Sequence, residues 1–589
     1  MAKIITENFR VQTTNELFRS FTEGNASIVS EFGSEMTDFV NSGALSLSNE
    51  ERTILFDYFP DALLDVMNAS RPDSTYYVMG SSYTKGDTIN NTQFQKREFQ
   101  RRVIFGNKIT QSDIRYMFDI NHWQSGVTYD SFDDTKDISE LNMYVTVLDG
   151  TINEGSYKVF KCLRNSDGKP SVYAPSTQDV DTQYETITPD GYVWKYMFEV
   201  PPAEYLVYST TQSLPYYKNQ SVINAAEESL SDILIEKTQA SLFLDYYLSS
   251  LTVQQVVNVG GNKWEIEILS SNNAVPVKVT PNAYTNMYLK FSGGEVFDIV
   301  ESDAPSVNNQ TSANRAFMYI NYDGPDLNIL FPKNTPCQIV PKVKISSTSG
   351  VQAKAFGIVD TSGTLVDVEF ANKGTKYKYA KASLLMPPAL QDRADDTELR
   401  VVCSPRGGHG SDPISELYMS KLAVITNFFS STLNNIPEGG TYTRVGLVKN
   451  PVFRDGSQPN SFDNRMKLYV SGDITAKDYI GKTIKQTNGE DVVTGVIHEM
   501  EYMSLEDTTA IYLVDYVGDY AQTFTAGTIE IVLDTQDTIK SDTLTINTVS
   551  ETDQGLYTDY SGDLLHYVDF DAIERQQGRR EKVKFVFDF

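Results

Sequence analysis

From about residue 140 onward, apolar residues in this chain recur at every second position. That spacing fits a strand, whose side chains alternate between faces, and not a helix, whose apolar face returns every third or fourth residue. MYVTV (143–147) and YKVFKCL (157–163) alternate on either side of DGTINEG, which predicts a hairpin. GYVWKYMFEV puts Tyr192, Trp194, Tyr196 and Phe198 on one face. The signal returns in KWEIEIL, MYLKF, KLYVSG, AIYLVDY, TIEIVL and VKFVF, with Gly, Asn, Asp and Ser turns between them. The expectation is a predominantly β chain.

Helix signals are few and N-terminal. TTNELFRSF presents Leu17, Phe18 and Phe21 on one face, with Thr13 or Thr14 as N-cap. SNEERTILFDYF pairs Ser48 with Glu51 at capping-box spacing, and Pro60 ends that helix or opens another at DALLDVM. QSDIRYMF (111–118) reads as a third short helix. Breaks are expected at PPAEY (201–205), at LMPPALQDRADD and at RDGSQPNSFDN (454–464). One weak internal echo joins MYLKFSGG (287–294) to MKLYVSGD (466–473).

A length of 589 residues suggests about three or four domains. With 50 basic and 78 acidic side chains the net charge is −28, which argues against a phosphate-backbone partner. The densest basic run, RQQGRREK, reads as a solvated turn. Cys162, Cys337 and Cys403 lack metal-type spacing and read as small buried apolar residues in a reducing cytosol. MAKIITENFR has no apolar signal-peptide core, and no run approaches the length needed to span a bilayer. No membrane insertion is expected.

Candidate chemistry is sparse. Gly481-Lys482-Thr483 lacks the upstream glycine of a phosphate loop, and its flanks read as strand and turn. The histidines (122, 409, 498 and 566) share no metal-ligand spacing, and His122 reads as a packed aromatic. The most unusual string is PRGGHGSD, where Gly407, Gly408 and Gly410 surround His409 and precede Ser411 and Asp412. It reads either as a special loop or as a tight turn whose glycines solve a backbone problem, since Ser and Asp side by side cannot supply triad geometry. Asp133-Asp134 and Asp395-Asp396 read as solvated loops, and DGSQPNSFDN lacks the final acid of a calcium loop. No catalytic residue, cofactor or metal is expected. Aromatic content of 12% fits either interface cores or sheet interiors, and a rigid assembly part better than a catalyst.

PDGYVWKYMFEVPP (189–202) resembles a signature string of the dimeric baseplate wedge subunit of T-even-like contractile-tailed phages, through Asp190, Gly191, Tyr192, Val193, Trp194, Phe198, Glu199, Pro201 and Pro202. Upstream, YKVFKCLRN is similar to its Tyr-Arg-Cys-Leu strand through Phe160, Cys162 and Leu163, and ITENFR and YYVMG fit its first helix lead-in and first strand. Downstream, the segment 422–453 resembles a strand-loop-strand unit ending in Val448, Lys449, Asn450 and Pro451, and the tail 560–589, with Gly562, resembles its Ser-Gly-Glu segment and terminal strand. The order of the pieces is kept over roughly half of the chain. Residues 345–384 also resemble a β pattern common in phage tail proteins, ending in Gly-x-x-Tyr.

The resemblance implies a mainly β (α+β) fold, a layered β-sandwich core with short helical insertions near the N-terminus and additional inserted β modules. The implied division is 1–220 as the first part of the core, 221–400 as an insertion, 401–455 as core continuation, 456–545 as a second inserted module and 546–589 as the last core strands. It also implies a homodimer that contacts other baseplate wedge proteins in the virion tail, with no nucleic acid and no enzymatic activity. A tail-associated carbohydrate binder or depolymerase is the alternative expectation.

Overall fold

The computed structural model describes most of residues 75–588 and part of a helix near residues 10–18; the principal segments left out are 1–9, 19–74, 82–91, 272–276, 436–441, 518–523, 549–556 and 571–579. The chain is mainly β, and every alternating segment named above lies on a strand. It divides into two units, Phe118–Met419, and Met1–Met117 with Ser420–Phe589. The helices expected within 48–67 lie outside the described residues.

In the discontinuous unit, a five-stranded antiparallel sheet runs in the order Ser461–Asp463, Val103–Lys108, Tyr76–Ser81, Arg444–Lys449, Asp563–Asp569. Tyr77, Met79, Phe99, Val448, Phe462 and Tyr557 form its core. Phe99 comes from the helix Thr92–Arg101, which sequence reasoning missed because its polar residues (TQFQKREFQR) leave only two aromatic anchors. A second sheet pairs Lys421–Ser431 with Arg580–Asp588 and with residues 114–117.

The 111–118 segment is a correction. Only Gln111–Asp113 forms a helical turn, with Asp113 reaching back to the Thr110 amide, and Ile114–Asp119 is a strand. A short apolar run fits both periods, and here the β-branched and aromatic residues favour the strand. At the first helix, Thr14 is not the N-cap. It already sits within the helix and its hydroxyl donates to the Arg10 carbonyl at 2.8 Å.

Between Asp463 and Asp563 the same unit carries a closed antiparallel barrel, in the order Met466–Ser471, Thr508–Val517, Asp491–Met503, Thr483–Asn488, Gly527–Thr535, Thr538–Thr548 and back to the first. Leu468, Ile484, Ile497, Ile511, Ile531 and Ile546 fill it. Closure removes the free edges that an isolated sheet module exposes to aggregation.

In Phe118–Met419, a twelve-stranded antiparallel assembly includes the path Lys263–Ser270, Leu248–Gly260, Pro336–Ser346, Lys381–Leu385, Glu398–Cys403, Leu230–Lys237. A separate four-stranded sheet runs Tyr144–Asp149, Ser156–Asn165, Tyr192–Val200, Glu185–Ile187. The echoed strings belong to unlike settings. Met287–Phe291 sits in the open sheet and Met466–Ser471 in the barrel, and what they share is a strand running into a turn with glycine at positive φ, Gly294 at 95° and Gly472 at 80°.

Candidate functional site

The four-stranded sheet is buried on both faces in its middle. One face carries Tyr192, Trp194 and Tyr196 of the expected stripe, with Cys162 opposite Trp194 and Phe160 opposite Tyr196, while a register shift pairs Phe198 with Val159 and takes it off that face. Tyr192 stacks on Trp194 at 5.5 Å, and its hydroxyl donates to the Lys169 carbonyl at 2.5 Å. The turn before this strand is held by Asp190, which accepts from Thr188 Oγ1 at 2.5 Å and from the Val172 and Tyr173 amides at 2.7 and 3.1 Å. Burial pushes the Asp190 carboxyl up, but these hydrogen bonds outweigh it and hold its pKa below the ordinary value. Gly191 follows at φ 86°. At the other end Pro201 is the N-cap of the helix Pro202–Tyr208 and Pro202 takes its first position, where the missing N–H costs nothing. Phe198 meets Phe118 and Tyr216 edge-on at 5.4 and 4.9 Å.

The opposite face holds what the alternation hides. Lys161 and Lys195, at the polar positions of the alternation, are 0% and 2% exposed. Lys161 Nζ donates to Glu416 Oε2 at 2.8 Å and to His409 Nδ1 at 3.1 Å, and lies 4.1 Å from the Phe132 ring centroid. Glu416 Oε1 accepts the amides of Gly410 at 2.7 Å and Asp412 at 3.3 Å. His409 Nε2 lies 2.5 Å from Ser231 Oγ. The PRGGHGSD loop is thus built around a buried ion pair. Gly407, Gly408 and Gly410 all have positive φ, and a Cβ on Gly408 would lie 2.4 Å from the Glu227 backbone. Ser411 Oγ donates to the Gly408 carbonyl, and Asp412 caps the short helix Pro413–Glu416.

Ser231, His409 and Glu416 superficially form an acyl-transfer triad, but the proton positions run the other way. The His409 Nδ1 to Glu416 Oε2 distance of 3.6 Å is too long for a hydrogen bond, while the Lys161 ammonium reaches Nδ1 as a donor. Nδ1 therefore accepts, Nε2 carries the hydrogen, and Ser231 Oγ receives it instead of being activated. Burial, then the Lys161 charge, pushes the His409 pKa down to about 3. Burial raises the Glu416 carboxyl, but Lys161 and the loop overcome it and hold the pKa at about 2. Burial pulls the Lys161 pKa down, with Glu416 opposing it.

Two other expectations change. Asp133 is 4% exposed and clamps Arg400 through both oxygens, at 2.8 and 3.1 Å, and Asp134 accepts the Cys403 amide at 3.1 Å, so this pair is not a solvated loop. Burial acts to raise the Asp133 pKa, and Arg400 with Thr135 brings it down to about 2. His122 stacks on Tyr157 while remaining exposed. The three cysteines are buried and unbridged. Gly481 is followed by a strand and not a helix, so no phosphate cradle forms there.

In the discontinuous unit, Asn450, Pro451 and Gly562 come together although more than a hundred residues separate them in sequence. Asn450 has φ 52°, accepts the Thr75 amide on Oδ1 at 2.7 Å and donates its own amide to the Thr75 carbonyl at 2.6 Å. Gly562 has φ 72°, and a Cβ there would sit 2.8 Å from the Lys449 carbonyl oxygen and 3.0 Å from Pro451 Cα.

Sequence reasoning missed Lys161, Ser231, Arg400 and Glu416. A findable signal was Asp412-Pro413 ahead of Glu416, an N-cap followed by proline at the first helical position. Among the described residues, no group of His, Cys, Asp and Glu is placed to hold a metal ion, and no helix is long and apolar enough to cross a membrane. No protein-family model and no curated protein matches the chain.

Proposed function

We propose that this chain is a structural subunit of the baseplate wedge of a contractile phage tail, a homodimer that bridges neighbouring wedge proteins during assembly and contraction. The observation that carries the reading is the preserved order of the matching strings along the chain. Support also comes from what those strings do locally. YKVFKCLRN and YVWKYMFEV are neighbouring paired strands with a common aromatic core, and Asn450-Pro451 packs against Gly562. Residues that fix a fold in this way are the ones a shared architecture would keep. The role is mechanical: β sheets with aromatic cores transmit rearrangement through interfaces. Light scattering of the purified chain, alone and mixed with wedge proteins, tests this. A dimer that captures a wedge neighbour supports it, and a strict monomer that binds none contradicts it.

The carbohydrate-binding or depolymerase reading stands second. It asks for exposed rings above converging carboxylates, and a cleft of about 810 Å³ among the described residues carries Phe370 as its one aromatic ring. Binding or turnover of host-surface glycans would raise it to first.

A further inference from the structure

Within Phe118–Met419 a cleft of about 810 Å³ opens beside the strands Ser156–Asn165, Leu230–Lys237 and Leu365–Asn372. That volume lies within the range of small-ligand and side-chain binding sites. Six carboxylates line it against two bases, Arg164 and Lys373. Both bases are already engaged: Arg164 donates to Asp367, and Lys373 Nζ to Glu185 Oε2 at 2.5 Å.

What remains is Asp232. It is 7% exposed, it lines the cleft, and its one hydrogen bond is from the adjacent amide of Ile233 at 2.8 Å. Among the described residues no side chain donates to it. Arg164 thus serves both the nearly buried Asp232 and the half-buried Asp367, with Lys373 adding a weaker attraction to Asp232. Burial raises the pKa of both, with Asp367 adding to the rise at Asp232 and Asp167 to that at Asp367, and Arg164 only partly offsets it. A nearly buried carboxylate whose one donor is a neighbouring amide is costly to ionise unless a cation completes it. A metal ion is the weaker candidate, because the lining acids do not converge as a ligand set among the described residues. An ammonium or guanidinium needs no coordination shell, only carboxylate acceptors within reach of its N–H groups.

We infer that this cleft is a binding site for an alkylammonium or guanidinium group, supplied by a lysine- or arginine-bearing segment of a partner chain or by a free polyamine. The site is independent of the baseplate reading and needs only the geometry of this unit.

Calorimetric titration of the full chain at low salt with trilysine, spermidine and magnesium chloride tests it. Trilysine or spermidine should bind, and binding should weaken at least tenfold in Asp232→Asn and on raising salt to screen the charges. Spermidine tenfold weaker than trilysine assigns the site to a partner segment, and the reverse assigns it to a polyamine. Because Asp232→Asn alters a buried position, Ile187→Lys provides a second variant. Ile187 lines the cleft but is 75% exposed, so a lysine there adds a competing cation without disturbing the core, and it should weaken binding severalfold. Binding of neither amine, binding of magnesium alone, or amine binding unchanged in both variants overturns the inference.

Discussion

At the residue scale, the Lys161–Glu416 pair is the most consequential arrangement in the molecule. Replacing one member of a buried pair leaves the other as an uncompensated charge, at a cost of about 3–5 kcal/mol. Lys161→Met is expected to lower unfolding free energy by that amount in urea titration. Lys161→Met with Glu416→Gln should lose much less, because the glutamine carbonyl still accepts the Gly410 and Asp412 amides. His409 makes a pH prediction. The folded chain keeps it neutral down to a pKa of about 3, while the unfolded chain protonates it near 6.5, so the unfolded state binds more protons in between and stability falls with falling pH. His498, half-buried with a pKa lowered to about 3 by desolvation and then by Arg465, adds a loss of the same sign, and Glu416 joins it only below 4.5. His409→Gln should therefore reduce, without abolishing, the decline of melting temperature between pH 6.5 and 5. An unchanged slope would contradict this account. None of this was legible in the sequence, because Lys161 occupies the position in Phe160-Lys161-Cys162 that alternation assigns to solvent. The burial of Asp133 is hidden for a different reason: its partner Arg400 is remote in sequence.

At the element scale, strands were legible wherever apolar and polar residues alternate, since a half-buried sheet needs that pattern and little else. In the aromatic strand Tyr192–Val200 the one-face reading holds for Tyr192, Trp194 and Tyr196 and fails for Phe198, because alternation cannot show the bulge that precedes it. Its second buried face, with Lys195 and Met197, was not visible, because burial there depends on the PRGGHGSD loop arriving from more than two hundred residues away. Trp194 is wholly buried and its indole N–H has no acceptor among the described residues. Its contribution is therefore packing alone. Trp194→Ala should cost about 3–5 kcal/mol by thermal or chemical unfolding, and Trp194→Phe far less. Gly562→Ala combines positive φ with a contact to fixed backbone, and is expected to destabilise by about 1–3 kcal/mol.

At the scale of the whole molecule, closure of the barrel was not readable from the strings KLYVSG, AIYLVDY and TIEIVL. Closure rests on pairing Met466–Ser471 with Thr538–Thr548, a register between the first and last strands of the module. A closed sheet with its own core needs no partner sheet. A fragment spanning residues 465–548 should therefore melt cooperatively and give a dispersed amide spectrum, and a molten fragment would show that the barrel depends on the rest of the chain. The proposed wedge role joins these scales, since it requires the matching strings to be parts of one architecture with interfaces to neighbours. The most direct test is a cryo-EM map of the contractile tail assembled with this chain. The account predicts paired copies within each baseplate wedge, in contact with neighbouring wedge proteins. A complete baseplate with no density for the chain would contradict it.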